Sequence, residues 1–289
     1  MAALMVEQAP AKINLTLRVI GRRADGYHDL ESLVVFADLT DTLTLQPGGD
    51  AALEVAGPFA AATGPDAGNL VLKAHAALRE RLPGLKAGRF QLTKNIVVAA
   101  GLGGGSSDAA AALRLLARAN NLAASDPRLA AAALATGADV PVCLSGKARV
   151  MRGVGEELSA PLDLPVLPAL LVNPGVSLGT REVFAKFAGS QEGKAHADVP
   201  RDRDALIAWL AERNNDLTKS AIACEPAIGD VLAALRALPG ARLVRMSGSG
   251  PTCFAVFGST AEAAASSNTL AAAHAGWWIR PVTLGAPRP

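Results

Sequence analysis

Strand-like text from Phe90 to Val98 runs into Gly101-Leu102-Gly103-Gly104-Gly105-Ser106-Ser107, and from Asp108 to Asn120 an alanine- and leucine-rich helix pattern follows. No other feature limits the fold as much. Glycines without Cβ let backbone N–H groups approach an anion, and a helix start adds unpaired amides and the positive end of the peptide dipoles. Ser106 and Ser107 bring hydroxyls able to cap the helix, touch phosphate oxygens or reach a Mg²⁺ ion. A purely structural glycine turn with a serine cap would use the same residues. The Walker signature Gly-x(4)-Gly-Lys-Ser/Thr is absent from the chain, and the dinucleotide fingerprint fails because Ser106 occupies its third glycine position. The run therefore points to an anion site outside the two common nucleotide folds.

Around it the chain mixes strands and helices. Ile13, Leu15, Leu17 and Val19 alternate with polar neighbours as in a half-buried strand, with Lys12 and Asn14 on the other face. Gly21 to Tyr27 reads as a loop, Ser32 to Phe36 and Thr40 to Leu45 as two strands, and Pro47 to Gly68 as irregular. Asn69 is placed to cap a helix carrying Val71, Ala74, Leu78 and Leu82, which Pro83-Gly84 ends. A helix over Pro127 to Ala135 leads to Gly137-Ala138-Asp139-Val140-Pro141, read as a loop around an acidic residue. Val166 to Val172 holds Pro168, which predicts an edge or broken strand. Gly189 to Arg203 is the most polar stretch and reads as a surface excursion. Helices over Asp204 to Glu212 and Ile228 to Leu238 and a strand over Leu243 to Met246 lead to a second glycine cluster, Ser247-Gly248-Ser249-Gly250, after which a strand, a helix and a strand close the chain. The order predicts an α+β fold, and 289 residues favour two domains with a boundary near Met151 to Pro161.

A net charge of +2 argues against nucleic acid or membrane surfaces as partners and for a small neutral-to-anionic ligand. Cys143, Cys224 and Cys253 are too far apart for a metal or disulfide framework, and His75, His196 and His274 lack metal-ligand spacing, so none is assigned a role. No signal segment or membrane span is evident, which makes the cytoplasm the expected location.

The run Gly101 to Ala109 closely resembles the second motif of the GHMP kinases, a Pro-x-Gly-Leu-Gly-Ser-Ser-like loop before a helix. Three further pieces stand in that family's order: Ala-Lys-Ile-Asn-Leu near the start, Gly-Ala-Asp-Val-Pro, and Met-Ser-Gly-Ser-Gly-Pro-Thr-Cys-Phe near the end. One departure is Val97, where the family usually has proline a few residues before the glycines, a change expected to alter loop stiffness only. The resemblance implies a two-domain α+β GHMP-kinase fold: an N-terminal ribosomal-protein-S5-domain-2-like half over residues 1–155, a C-terminal ferredoxin-like half over 156–289, and the active site in the cleft between them. It implies ATP with Mg²⁺, whose protein ligands are not readable, and ATP contacts from Ala99, Ala100, Gly101, Leu102, Gly103, Gly104, Gly105, Ser106 and Ser107. It carries Lys12 and Asp139 over as catalytic residues; read without it, they are a solvated lysine on a strand face and an aspartate in a turn.

Lys12-Ile13-Asn14-Leu15, Asp25-Gly26-Tyr27-His28, the triple glycine 103 to 105 and Asn215-Asp216-Leu217 resemble the branch of that family acting on a cytidine-diphosphate substrate. That branch implies a pyrimidine stacked between Tyr27 and Phe184 with His28 at its edge, and further acceptor contacts from Asn14 and Thr180. The second glycine cluster is expected beside the phosphates. A homoserine- or mevalonate-type kinase and a non-catalytic nucleotide-binding relative are the alternatives, and the chain is expected as a monomer or homodimer.

Overall fold

The protein is seen in a computed structural model that describes residues 3–24, 26–64, 68–189 and 196–285. Strand β3, His28–Pro47, is its spine, a single strand of 20 residues where two were expected. It stays unbroken because other strands pair with it in turn: β1 (Met5–Asn14), β2 (Arg18–Arg22), β5 (Gly88–Thr93) and β6 (Arg149–Gly153), all antiparallel. The expected irregular stretch after Pro47 contains β4, Ala52–Ala56, which pairs in parallel with β5. β7, Glu157–Leu158, extends the sheet beside β6.

Helix α1, Leu70–Arg81, starts where its cap predicts, with the Val71 N–H donating to Asn69 Oδ1 at 3.0 Å. Helix α2, Gly104–Ala119, runs along the open side of β1. Ser107 Oγ donates to the Pro10 carbonyl at 2.6 Å, Arg114 to that of Gln8 at 3.1 Å and Arg118 to that of Val6 at 3.1 Å. These positions share one helix face, so side chains of α2 do for the edge of β1 what a further strand would do. Helices α3 (Pro127–Thr136) and α4 (Val140–Ser145) complete this half, and α4 begins inside the segment expected to be a loop.

The second half contains β8 (Leu167–Asn173), α5 (Thr180–Ala185), α6 (Arg203–Ala211), α7 (Thr218–Cys224), α8 (Ala227–Arg236), β9 (Leu243–Met246), β10 (Cys253–Val256), α9 (Thr260–Ala273) and β11 (Trp278–Leu284). Its antiparallel strands lie in the order β11-β8-β10-β9, the ferredoxin-like arrangement. Leu284 pairs with Ala37 and joins this sheet to β3. β8 is therefore central and buried, not an edge. Pro168 is tolerated as its second residue, and its carbonyl still accepts from the Phe257 N–H at 2.9 Å.

The period-2 reading of β1 also needs correcting. Ile13 and Leu15 face one core with Leu33, Val35 and Phe254, but the opposite face is covered too, with Lys12 4%, Asn14 1% and Thr16 0% exposed. Polar groups buried that thoroughly must find partners. Those partners form the site.

Candidate active site

The strand before the glycine run stops at Thr93, five residues earlier than expected, and residues 94–103 form the loop. α2 then starts at Gly104 rather than Asp108, so Gly104, Gly105 and Ser106 form its first turn. Their N–H groups have no intrahelical acceptor, no side chain caps the helix, and no acidic residue lies in its first turn. Before the helix, Ala99, Gly101 and Gly103 all have left-handed backbone, with φ of 53°, 74° and 59°. For alanine this is a strained conformation of the kind found where a backbone must hold a ligand.

Leu102 is buried and anchors the loop, its carbonyl accepting from the Lys12 N–H at 2.8 Å, while the Ala100 carbonyl accepts from the Thr252 N–H at 3.2 Å. Ala99 is exposed and Ser106 half-buried. Ser107 differs from the expectation of a capping or phosphate-facing hydroxyl: it is 1% exposed and its Oγ is tied to Pro10.

Directly beneath the loop, Lys12 Nζ lies 2.8 Å from Asp139 Oδ2 and donates to Asn14 Oδ1 at 2.9 Å. A Cβ on Gly103 would stand 2.8 Å from Lys12 Cε, so glycine is what allows the loop to lie on the lysine stem. Asp139, at the start of α4, keeps about a third of its side chain open to solvent (32%). Asn14, which the resemblance places on the acceptor, spends its amide internally. Its oxygen accepts from Lys12 and its nitrogen donates to Ser32 Oγ at 2.7 Å, and Ser32 in turn donates to the Thr16 carbonyl at 2.6 Å. In this structure Asn14 holds the ammonium in place.

The second glycine cluster comes to the same place. Ser247 Oγ donates to the Gly101 carbonyl at 2.9 Å and accepts from the Asn14 N–H at 3.1 Å. Thr180 Oγ1 lies 2.9 Å from Ser249 Oγ, which brings α5 to the same turn. Asn215 Nδ2 donates to the carbonyls of Met246 and Gly248 at 2.8 and 2.7 Å.

Where the resemblance expects the acceptor, the His28 ring stacks on Phe184 with centroids 4.9 Å apart and planes at 24°, and Phe187 meets it edge-on at 6.3 Å. Tyr27 is 62% exposed beside this pair. The structure thus joins His28 with Phe184, and the imidazole covers a face of Phe184; Asp25 lies outside the described residues.

Some residues that support the site were not assigned a role from sequence. The polar stretch from Gly189 to Arg203 falls partly outside the described residues (190–195), and within it His196 is buried rather than at the surface. His196 Nδ1 lies 2.6 Å from Glu31 Oε1 and its Nε2 bonds Thr16 Oγ1; Arg152 holds the other Glu31 oxygen at 2.8 Å. Trp209 packs edge-on against the imidazole, and Arg213 stacks 3.5 Å over Trp209. The available signal was Glu31 itself, a charge on the same strand parity as Leu33 and Val35.

Burial lowers the His196 pKa from its ordinary 6.5 despite Glu31, and Glu31 is lowered because bonds from His196 and Arg152 outweigh its own desolvation. Both depressed groups contribute stability at neutral pH that is lost on acidification. The unfolding free energy is expected to fall between about pH 7 and 5, and less steeply in His196→Gln. Denaturant titrations across that range check it, and equal slopes would remove the assignment.

A glycine loop and uncapped helix start above a buried lysine paired with a partly exposed aspartate, with an aromatic group on the same chain, are the parts expected of an ATP-dependent phosphotransferase acting on an alcohol. The GHMP kinases N terminal domain matches residues 69–147 and the GHMP kinases C terminal domain residues 196–274. A 4-diphosphocytidyl-2-C-methyl-D-erythritol kinase from Rhodopseudomonas palustris (strain BisB5) is 55% identical, with 94% of this chain and 96% of that protein covered. One from Bradyrhizobium diazoefficiens is 52% identical over 97% and 98%. A crystal structure of 4-(cytidine 5'-diphospho)-2C-methyl-D-erythritol kinase superposes with a TM-score of 0.79 at 35% identity, covering 98% of this chain and all (100%) of that one. Homoserine kinase from Cytophaga hutchinsonii, at 20% identity and a TM-score of 0.70, shares the fold. The chain belongs to the GHMP kinase family, within the group of 4-diphosphocytidyl-2-C-methyl-D-erythritol kinases.

Proposed function

We propose that this protein transfers the γ-phosphoryl group of ATP to the 2-hydroxyl of 4-diphosphocytidyl-2-C-methyl-D-erythritol, a step of the non-mevalonate route to isoprenoid precursors. The observation that carries the mechanism is the 2.8 Å pair of Lys12 and Asp139 under the glycine loop. The Asp139 carboxylate takes the proton of the attacking hydroxyl, the oxygen bonds to the γ-phosphorus, and the bond to ADP breaks. The Lys12 ammonium neutralises charge that spreads over the transferring oxygens, and the amides of 104–106 hold the phosphates at the helix start.

Mg²⁺ enters this reading as the partner of ATP. Among the described residues no cluster of three or more His, Cys, Asp or Glu side chains could cage a metal, and the hard donors at the site include Asp139 and the Ser106 hydroxyl. That set suits an ion held mainly by nucleotide phosphates, where it supplies charge neutralisation.

Residues 1–155 carry the nucleotide loop and the catalytic pair in this reading, and 156–289 bring Thr180, Phe184 and the second glycine turn. Tyr27, His28 and Phe184 hold the cytosine, which requires the imidazole to give up its stack on Phe184 when the base enters. No helix among the described residues is long and apolar enough to cross a membrane, and a metabolic kinase of this kind works in the cytoplasm.

A coupled ADP-release assay tests the assignment: the cytidine-diphosphate substrate should turn over, with homoserine and mevalonate at background. Comparable turnover of either control would overturn it. Tyr27→Ala should raise KM for the cytidine substrate about tenfold with kcat little changed, since base stacking contributes roughly 1–3 kcal/mol. An unchanged KM would remove Tyr27 from the base site.

A further inference from the structure

Three charged side chains that the chemistry does not use lie under the start of the phosphate loop. Lys94, the loop's first residue, is 2% exposed, Asp41 of β3 0% and Asp108 of α2 3%. The Lys94 ammonium donates to Asp41 Oδ2 and, at 2.8 Å, to Asp108 Oδ2. Asp41 Oδ1 accepts from the N–H groups of Asn95 at 2.5 Å and Ile96 at 2.9 Å, and Asn95 Nδ2 donates to the Thr40 carbonyl at 3.1 Å. A Cβ on Gly104 would lie 3.3 Å from the ammonium, so the cluster abuts the helix start that meets the phosphates.

We propose that Lys94, Asp41 and Asp108 are positioning residues for the nucleotide: a buried staple that ties both ends of loop 94–103 to β3 and so sets where its amides meet the ATP phosphates, an inference that rests on reading this loop as the ATP site. Buried ion pairs are poor sources of stability, because desolvation offsets most of their attraction, and in some proteins their role is to fix geometry instead. Here two carboxylates share one ammonium. Burial pushes Asp108 up to about 7 against the pull of Lys94, and Lys94 is raised because the two carboxylates outweigh its own burial. Asp108 Oδ1 has no hydrogen-bond partner among the described residues, while both oxygens of Asp41 are engaged.

That asymmetry supplies the test. Asp108→Asn can turn its amide oxygen toward Lys94 and keep the staple. Asp41→Asn cannot, because its NH₂ must face either the ammonium or the two backbone N–H groups. In the full-length enzyme Asp41→Asn is expected to raise KM for ATP about tenfold, with KM for the cytidine substrate and KM for ATP in Asp108→Asn each staying within about twofold of wild type. If Asp41→Asn does not fold, Asp108→Ala, which frees α2 from Lys94, carries the same expectation. An unchanged KM for ATP in the folded staple-breaking variant would overturn the proposal. So would an equal rise in both KM values, which would mean general loosening, or failure of both staple-breaking variants to fold, which would make the cluster a folding requirement. Absence of ATP turnover by the wild type would instead refute the proposed function.

Discussion

Asp139→Ala is expected to lower kcat by about 10²- to 10⁴-fold, the usual contribution of a positioned acid–base group, with KM for ATP nearly unchanged. The carboxylate is held for one partner, lying 2.8 Å from Lys12 Nζ while a third of its side chain remains open to the cleft. Removing it leaves the ammonium bound to Asn14 and the glycine loop in contact with its anchors, so nucleotide binding survives while the attacking hydroxyl loses its proton acceptor. Steady-state kinetics with both substrates decide the matter. A kcat within about tenfold of wild type would mean that positioning and charge neutralisation carry the reaction without a base at this atom.

Gly101→Ala should be severely damaging for a single added methyl group. At φ 74° alanine is strained by roughly 1–2 kcal/mol before any contact is counted. The new Cβ would also run into the Ser247 carbonyl and stand 2.8 Å from that of Gly250, and neither is a side chain that can rotate away. The two glycine turns would have to separate, taking Ser247 from the Gly101 carbonyl. We expect a loss of about 3 kcal/mol or more, which is a fall in Tm of about 6–12 °C for a chain of this size, together with a large rise in KM for ATP. Gly105→Ala is the contrast: its Cβ meets only Leu70 Cδ1, at 3.4 Å, inside regular helix. There Tm should hold or rise by the gain in helix propensity, with any penalty confined to ATP binding.

Several elements were legible because their causes are local. Asn69 caps α1 through its own side chain, two residues from the amide it serves. The glycine run marks a loop and a helix start for a reason internal to glycine. Other elements depended on partners. β3 reads as two strands around Ala37 to Leu39, yet Leu284 pairs with Ala37 and continuous pairing overrides the weak local pattern. Pro168 suggests an edge, but it lies just beyond the last β8–β10 pair, Ala169 with Val256, so its missing N–H falls at the end of that ladder.

The supporting charges were visible and easily misread. Asp41 has the strand parity of Leu43 and Leu45, and Lys94 that of Phe90 and Leu92, so each is a charge on a core-facing position. Alternation alone marks such residues as anomalies. It cannot show that the pairing of Thr42 with Thr93 sets the two side by side, or that α2 lowers Asp108 onto them.

The sequence by itself pointed to the family and its activity: a glycine loop, a lysine and an aspartate in the order of a GHMP kinase, and an aromatic group that we propose takes a pyrimidine. Only the tertiary structure decided which polar groups are engaged with other parts of the protein. It sent Ser107 to the edge of β1, engaged Asn14 with Lys12, buried His196 against Glu31, and brought two glycine turns separated by well over a hundred residues into backbone contact. The reason is physical. A motif reports what a residue can do, whereas burial and hydrogen-bond partners, which fix what it does, come from segments distant in the chain.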